Sequence, residues 1–271
     1  MHLTRIAALL EPFLGPPDEG QRKEDEGRLT GSDLDKISTY IDLLLHWNAR
    51  INLTAIRDPE QIVTRHFGES FFLARHLFPL SEIQRSHPER SENFTKSEVL
   101  AESRDPYFTQ PTRGQSARKG SQLEARSSKL AIDIGSGAGF PALPLKIWAP
   151  GIHLTLIESN HKKAAFLREV ARELTLTNIN VIAERAETIA ARPASEFPRA
   201  DVVTFRAVEK FDRTLPLAIA LLASKGRLAI LIGSSQLPRL QPSSLNTSHT
   251  LSWQTFPVPD SRTRLLAILE H

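Results

Sequence analysis

Asp133-Ile134-Gly135-Ser136-Gly137-Ala138-Gly139-Phe140-Pro141 follows directly on the apolar run Leu130-Ala131-Ile132. A strand therefore ends in a loop with glycine at every second position. Glycines there let the chain turn sharply and let a ligand lie against the main chain. The helix expected next offers the unpaired N–H groups of its first turn to a carboxylate or phosphate. A tight strand-to-helix turn without a ligand would use the same residues. Spacing narrows the choice: the nucleotide phosphate loop ends in Gly-Lys-Ser/Thr, which is absent here, and the nicotinamide fingerprint sets its last glycine one residue further along.

Outward from this loop the chain alternates. LAIDI reads as a strand, 140–149 as a helix, HLTLIE as a strand, 161–175 as a helix and INVIAE as a strand. ADVVTF, a helix over 212–224 and the strand GRLAILI continue the series. Such β/α alternation predicts an α/β fold with a mostly parallel, doubly wound sheet. The late stretches TLSWQTFPV and TRLLAILE suit an antiparallel hairpin closing one sheet edge. Toward the N-terminus, apolar residues fall at helical spacing over 1–14 and 30–47. A third helix is expected over 59–78, with Asp58 as cap and Pro59 in its first turn. The stretch 81–128 is polar, mixed in charge and without periodicity, so it cannot bury enough apolar surface to offset the entropy of ordering. The expected organisation is a helical N-terminal cap over 1–80, a disordered insert over 81–128 and a ligand-binding α/β domain over 129–271.

Cysteine is absent, which removes disulfides, thiolate metal sites and cysteine nucleophiles together. The nine histidines are scattered and no metal site is expected. Ser136 follows Ile134 at the position where a nucleophile elbow needs glycine, so it is no serine nucleophile. No stretch reaches the about 18 apolar residues of a membrane helix, and the N-terminus reads as an amphipathic helix instead of a signal peptide. A cytoplasmic protein without membrane association is the expectation. Net charge is +3, with 34 Lys+Arg against 31 Asp+Glu.

Four places along the chain carry the candidate chemistry. The loop glycines Gly135, Gly137 and Gly139 come first. Glu158 closes the second strand about 20 residues past the loop, where an acidic residue can bind a ribose diol. Ala186 and Glu187 follow the third strand and could read a base edge or simply start a helix. Arg206 follows the fourth strand, on the rim where parallel strands collect ligands. It can pair a carboxylate in bidentate fashion or serve a structural salt bridge.

The order Asp-x-Gly-x-Gly-x-Gly resembles motif I of class I methyltransferases, which are Rossmann-like. A narrower resemblance rests on Trp47-Asn48 with Asn52-Leu53-Thr54-Ala55-Ile56, and on Arg65-His66 with Glu69-Ser70. It continues through Gly139-Phe140-Pro141, Lys162-Lys163 to Phe166-Leu167, Arg185-Ala186-Glu187 and Arg206-Ala207-Val208. These blocks, spanning about 30–78 and 129–233, are similar to the bacterial small-subunit rRNA guanine-N7 methyltransferases, the RsmG (GidB) family. The chain departs from that pattern at Glu69 (usually aspartate), at Phe205 (commonly serine), at Ile232 (often lysine) and in its long insert.

The resemblance implies S-adenosyl-L-methionine as cofactor, held at Gly135, Phe140, Ala186, Glu187 and Arg206 with Glu158 nearby. It implies as substrate a guanine in the 530 loop of 16S rRNA, free or in the small ribosomal subunit. Guanine N7 carries a lone pair and no proton, so no general base is required and no catalytic residue is assigned. Arg65, Lys162 and Lys163 are the candidates for RNA phosphates. Absent cysteine excludes C5 methylation of pyrimidines, and Thr204-Phe205-Arg206 stands where amino methylases place an Asn/Asp-Pro-Pro-Tyr/Phe turn. A small-molecule methyltransferase and a non-catalytic RNA- or ribosome-binding protein of the same fold remain the alternatives.

Overall fold

The computed structural model describes residues 1–15, 29–79, 128–206, 211–240 and 252–270. The insert expected at 81–128 lies outside these residues except for Ser128.

Five strands run parallel: β1 (Leu130–Ile134), β2 (His153–Ile157), β3 (Ile179–Ile182), β4 (Ala200–Arg206) and β5 (Leu222–Gly233). β6 (Ser252–Pro257) and β7 (Arg264–Glu270) form the expected antiparallel hairpin, with β7 antiparallel to β5. The sheet order is β3-β2-β1-β4-β5-β7-β6. The order reverses between β1 and β4, the crevice where open α/β sheets bind ligands.

Central strands buried on both faces read as continuous apolar runs. β5 shows this well, because Leu228, Ile230 and Ile232 face one core while Ala229 and Leu231 face the other. One face is covered by α7 (Ala186–Ala190) and α8 (Phe211–Ala220), through Ile189, Phe211, Leu215 and Ala218. The other face carries α5 (Ala142–Trp148) and α6 (His161–Glu173). The N-terminal helices α1 (Leu3–Leu14), α2 (Gly31–Asn48) and α4 (Glu69–Leu77) share that second core through Leu10, Phe13, Leu44, Phe71 and Leu77.

Two elements differ from expectation. The helix expected over 59–78 is divided: α3 (Pro59–Ile62) and α4 flank a π-helical turn at Val63–Gly68. Gly68 lets α1 approach it closely, since a Cβ there would stand 2.6 Å from Phe13 Cδ2. The helix expected over 212–224 ends at Ala220, and β5 begins at Leu222. Leu222 pairs with Ala200, and an irregularity before Arg227↔Val202 absorbs the polar residues between. Burial of Leu221 and Leu222 decides this boundary against helix periodicity.

Candidate active site

The strand register aligns one rim. Ile134 stands opposite Ile157 and Phe205, and Ile157 opposite Ile182. The glycine loop, Glu158, Ala186 and Arg206 therefore leave the sheet at one level. Gly135, Gly137 and Gly139 all have left-handed backbones, with φ of 68°, 56° and 86°. Their surroundings differ. A Cβ on Gly137 would meet only Gly135 O at 3.7 Å, whereas one on Gly139 would stand 2.2 Å from Tyr40 Oη. Gly137 thus borders open space and Gly139 is a packing requirement.

The helix after the loop offers fewer donors than expected. Its cap is Pro141, which has no N–H, and Leu143 N–H donates to Gly139 O. An anionic group at this rim must find its partners elsewhere. Glu158 is buried, and its carboxylate accepts from Gly137 N–H and Asn160 N–H, both at 2.8 Å. The acid is thereby fixed beside the loop with acceptor capacity left for a diol. Ala186 and Glu187 open α7 at the end of β3, the former half-buried and the latter exposed. Lys162 and Lys163 lie in the first turn of α6, where Asn160 Oδ1 accepts from both backbone N–H groups.

Arg206 does not project freely. Its Nη2 donates to Arg65 O at 2.7 Å and contacts Glu69 Oε2 at 3.1 Å. Its Nη1 is buried without a partner. Burial pushes the guanidinium pKa down to about 10, with Glu69 opposing the shift and Arg264 and Arg65 adding to it. It stays protonated at neutral pH, so its free nitrogen is a charged donor. Glu69, 1% exposed, also binds Arg65 Nε at 3.1 Å and Arg264 Nη2 at 2.8 Å.

Phe140 is a core residue by its side chain. It is stacked between His66 at 4.7 Å and Tyr40 at 5.2 Å. Only its backbone remains available for a ligand. Tyr40, buried on α2, donates to Ala138 O at 2.5 Å and so ties the N-terminal helices to the glycine loop. The Trp-Asn…Asn-Leu-Thr block has a physical explanation here. Asn48 Oδ1 accepts from Leu53 and Thr54 N–H, and its Nδ2 donates to Thr54 O. Thr54 Oγ1 in turn lies 2.8 Å from His66 Nε2. Trp47 is half-buried against the core, with Nε1 donating to Glu169. His66 is held neutral, because burial, then Arg206, Arg65 and Arg264, lower its pKa to about 3.

Asp133 lies beneath the loop. Thr204 donates to its Oδ1 at 2.6 Å, and its Oδ2 has no partner. Burial raises its pKa to about 7, against the hydrogen bonds that lower it. Sequence reading missed Tyr40, Thr204 and Arg264. Tyr40 sits three residues past Ile37 on the buried helix face, and Arg264 begins the last strand, signals too common to single either out. Among the described residues, no group of three His, Asp or Glu side chains could hold a metal ion. No described helix is long and apolar enough to cross a membrane.

A mostly parallel seven-stranded sheet ending in an antiparallel hairpin, with a glycine loop after β1 and an acid after β2, defines the Rossmann-like class I methyltransferase fold. The family model described as "rRNA small subunit methyltransferase G" (GidB) matches residues 33–82 and 115–255. The chain belongs to this family. Relatives named "Ribosomal RNA small subunit methyltransferase G" include one from Chloroflexus aggregans, 37% identical over 189 residues, 70% of this chain and 59% of that protein. Another, from Desulfitobacterium hafniense, is 32% identical over 206 residues, 76% of this chain and 65% of that one. The chain thus spans less than two thirds of the length of both. The Streptococcus pyogenes relative is 28% identical over 260 residues, 94% of this chain and 90% of its own length.

Proposed function

We propose that this protein transfers a methyl group from S-adenosyl-L-methionine to N7 of a guanine in the 530 loop of 16S rRNA, within the cytoplasm. The observation that carries the reading is the rim itself. Gly137 borders open space, and Arg206 Nη1 is a buried charged donor with no acceptor. A site so built fits a ligand with a close-lying chain and a carboxylate. Glu158 would take the ribose hydroxyls, Arg206 the methionine carboxylate, and the backbone of Ala186 and Glu187 the adenine. The loop backbone at Gly135, Gly139 and Phe140 would complete the floor.

When bound, the cofactor supplies an electrophilic methyl; the N7–C bond forms as the S–C bond breaks, its electrons remaining on sulfur. No proton moves, since N7 already presents its lone pair. The residues of this chain therefore align the reactants and exclude water instead of exchanging protons. His66, neutral and hydrogen-bonded to Thr54, suits a packing role against Phe140. Arg65, Lys162 and Lys163 would position RNA phosphates, with binding that weakens as salt rises. The small charge excess favours recognition of folded RNA by shape.

Two measurements test this. The first compares S-adenosylhomocysteine with methylthioadenosine, which lacks the carboxylate. Losing a charged hydrogen bond costs about 1.5–3 kcal/mol, so Arg206→Ala should weaken the former by one to two decades and spare the latter. A loss below about threefold in a folded variant reassigns Arg206. The second offers labelled cofactor to small subunits, naked 16S rRNA and a small-molecule panel. Label only on a small molecule supports the small-molecule alternative, and binding without any transfer supports a non-catalytic RNA-binding protein.

A further inference from the structure

Around Glu69 the charges do not balance. Arg65, Arg206 and Arg264 all contact this one buried carboxylate. Three guanidiniums against one carboxylate leave two positive charges, and neutral His66 adds none. Two guanidinium nitrogens, Arg206 Nη1 and Arg264 Nε, are buried without an acceptor. Buried charge of one sign without counter-charge is unfavourable. Arg206 and Arg264 are largely buried and share this one carboxylate, while water screens the half-exposed Arg65, so the cluster favours added anions.

Topology separates the two donors. Arg206 ends β4, beside β1 and its glycine loop. Arg264 begins β7 and stands opposite Gly233 at the end of β5. Because β7 is antiparallel, its first residue reaches the rim where the parallel strands end. In the order β1-β4-β5-β7 it lies on the half away from Glu158 and Ala186. Side-chain exposure differs as well, from 9% at Arg206 to 19% at Arg264 and 47% at Arg65. Arg206, the least exposed of the three, thus lies on the strand nearest the proposed cofactor half, Arg264 lies two strands further along the rim, and Arg65, beside Arg206, is the most open to solvent.

We propose that Arg264 and Arg65 bind one backbone phosphate of the RNA substrate, with Glu69 as the positioning residue that fixes both. Glu69 offers one oxygen to each: Oε1 to Arg65 and Oε2 to Arg264. The phosphate and the cofactor carboxylate at Arg206 are then the added anions. This rests on reading the protein as an RNA methyltransferase.

The test uses the full chain, S-adenosylhomocysteine by calorimetry and deproteinised 16S rRNA by filter binding across a salt series. Arg264→Gln should raise the Kd for 16S rRNA by about tenfold and lower the slope of log K against log salt by about one. Arg264→Lys, which keeps the charge, should retain the slope. Arg65→Gln, at a half-exposed position, should also lower it by about one and serves if Arg264→Gln does not fold. Weakened S-adenosylhomocysteine binding with an unchanged salt slope would move Arg264 to the cofactor site and overturn the proposal. Unchanged RNA binding in folded Arg264→Gln, or in Arg65→Gln, would leave only a structural ion pair. A parent chain that binds 16S rRNA as described but methylates no guanine N7 would defeat the functional reading and leave this one standing.

Discussion

The glycines of the loop are not equivalent. Gly137 needs its left-handed backbone but has room for a side chain, while Gly139 has neither freedom. Holding a non-glycine residue in that region costs about 1–3 kcal/mol. Gly137→Ala should therefore lose cofactor affinity with a modest fall in thermal stability. Gly139→Ala should lose much more stability, because its Cβ meets Tyr40 and Leu143. Calorimetric titration and thermal unfolding of both variants separate the two effects, and equal unfolding temperatures would contradict the packing argument. Asp133 and His66 make a second contrast. His66 has its pKa lowered from 6.5 to about 3, so the unfolded chain binds the extra proton and stability rises with pH through that window. Asp133 has its pKa raised from 3.8 to about 7, so the folded chain keeps the extra proton and stability falls as pH rises. Between these limits the two contributions oppose each other. Asp133→Asn removes one, and relative to the parent it should gain about 1.4 kcal/mol per pH unit from pH 4.5 to 6.5. Urea unfolding at both pH values measures it, and no difference in slope would mean that Asp133 is ionised in the fold.

At the scale of elements, a few hydrogen bonds tie the N-terminal helices to the sheet. Asn48 closes the turn after α2 with three bonds, and that turn delivers Thr54 to His66 and so to Phe140. Asn48→Ala leaves buried backbone groups without partners, at about 1–3 kcal/mol. It should also speed amide exchange at Leu53 and Thr54. Retained protection at both amides would show that the turn holds without Asn48. The regular elements here were legible in sequence because their periodicity is strong: β1, β2 and the closing hairpin lie where apolar spacing places them. The π-helical turn at Val63–Gly68 was not, since the residues across and beside it keep helical spacing. The start of β5 was missed for a related reason, as Leu221 and Leu222 suit a helix face or a strand equally.

Across the whole molecule, sequence marked the rim residues one at a time, at the ends of strands. It could not mark their mutual contacts. Arg206 was legible as a rim cation, but its engagement with Glu69 depends on α4 packing against the sheet, and Arg264 depends on β7 running antiparallel to β5. Delivery of a methyl group by this rim to one guanine N7 of 16S rRNA is the proposal that ties these contacts together. The most direct measurement maps N7-methylguanine along 16S rRNA, by reduction and aniline cleavage, from cells with the gene, without it, and with it restored. The expected result is a single cleavage in the 530 loop that disappears without the gene and returns with it. An unchanged cleavage pattern in all three would contradict it.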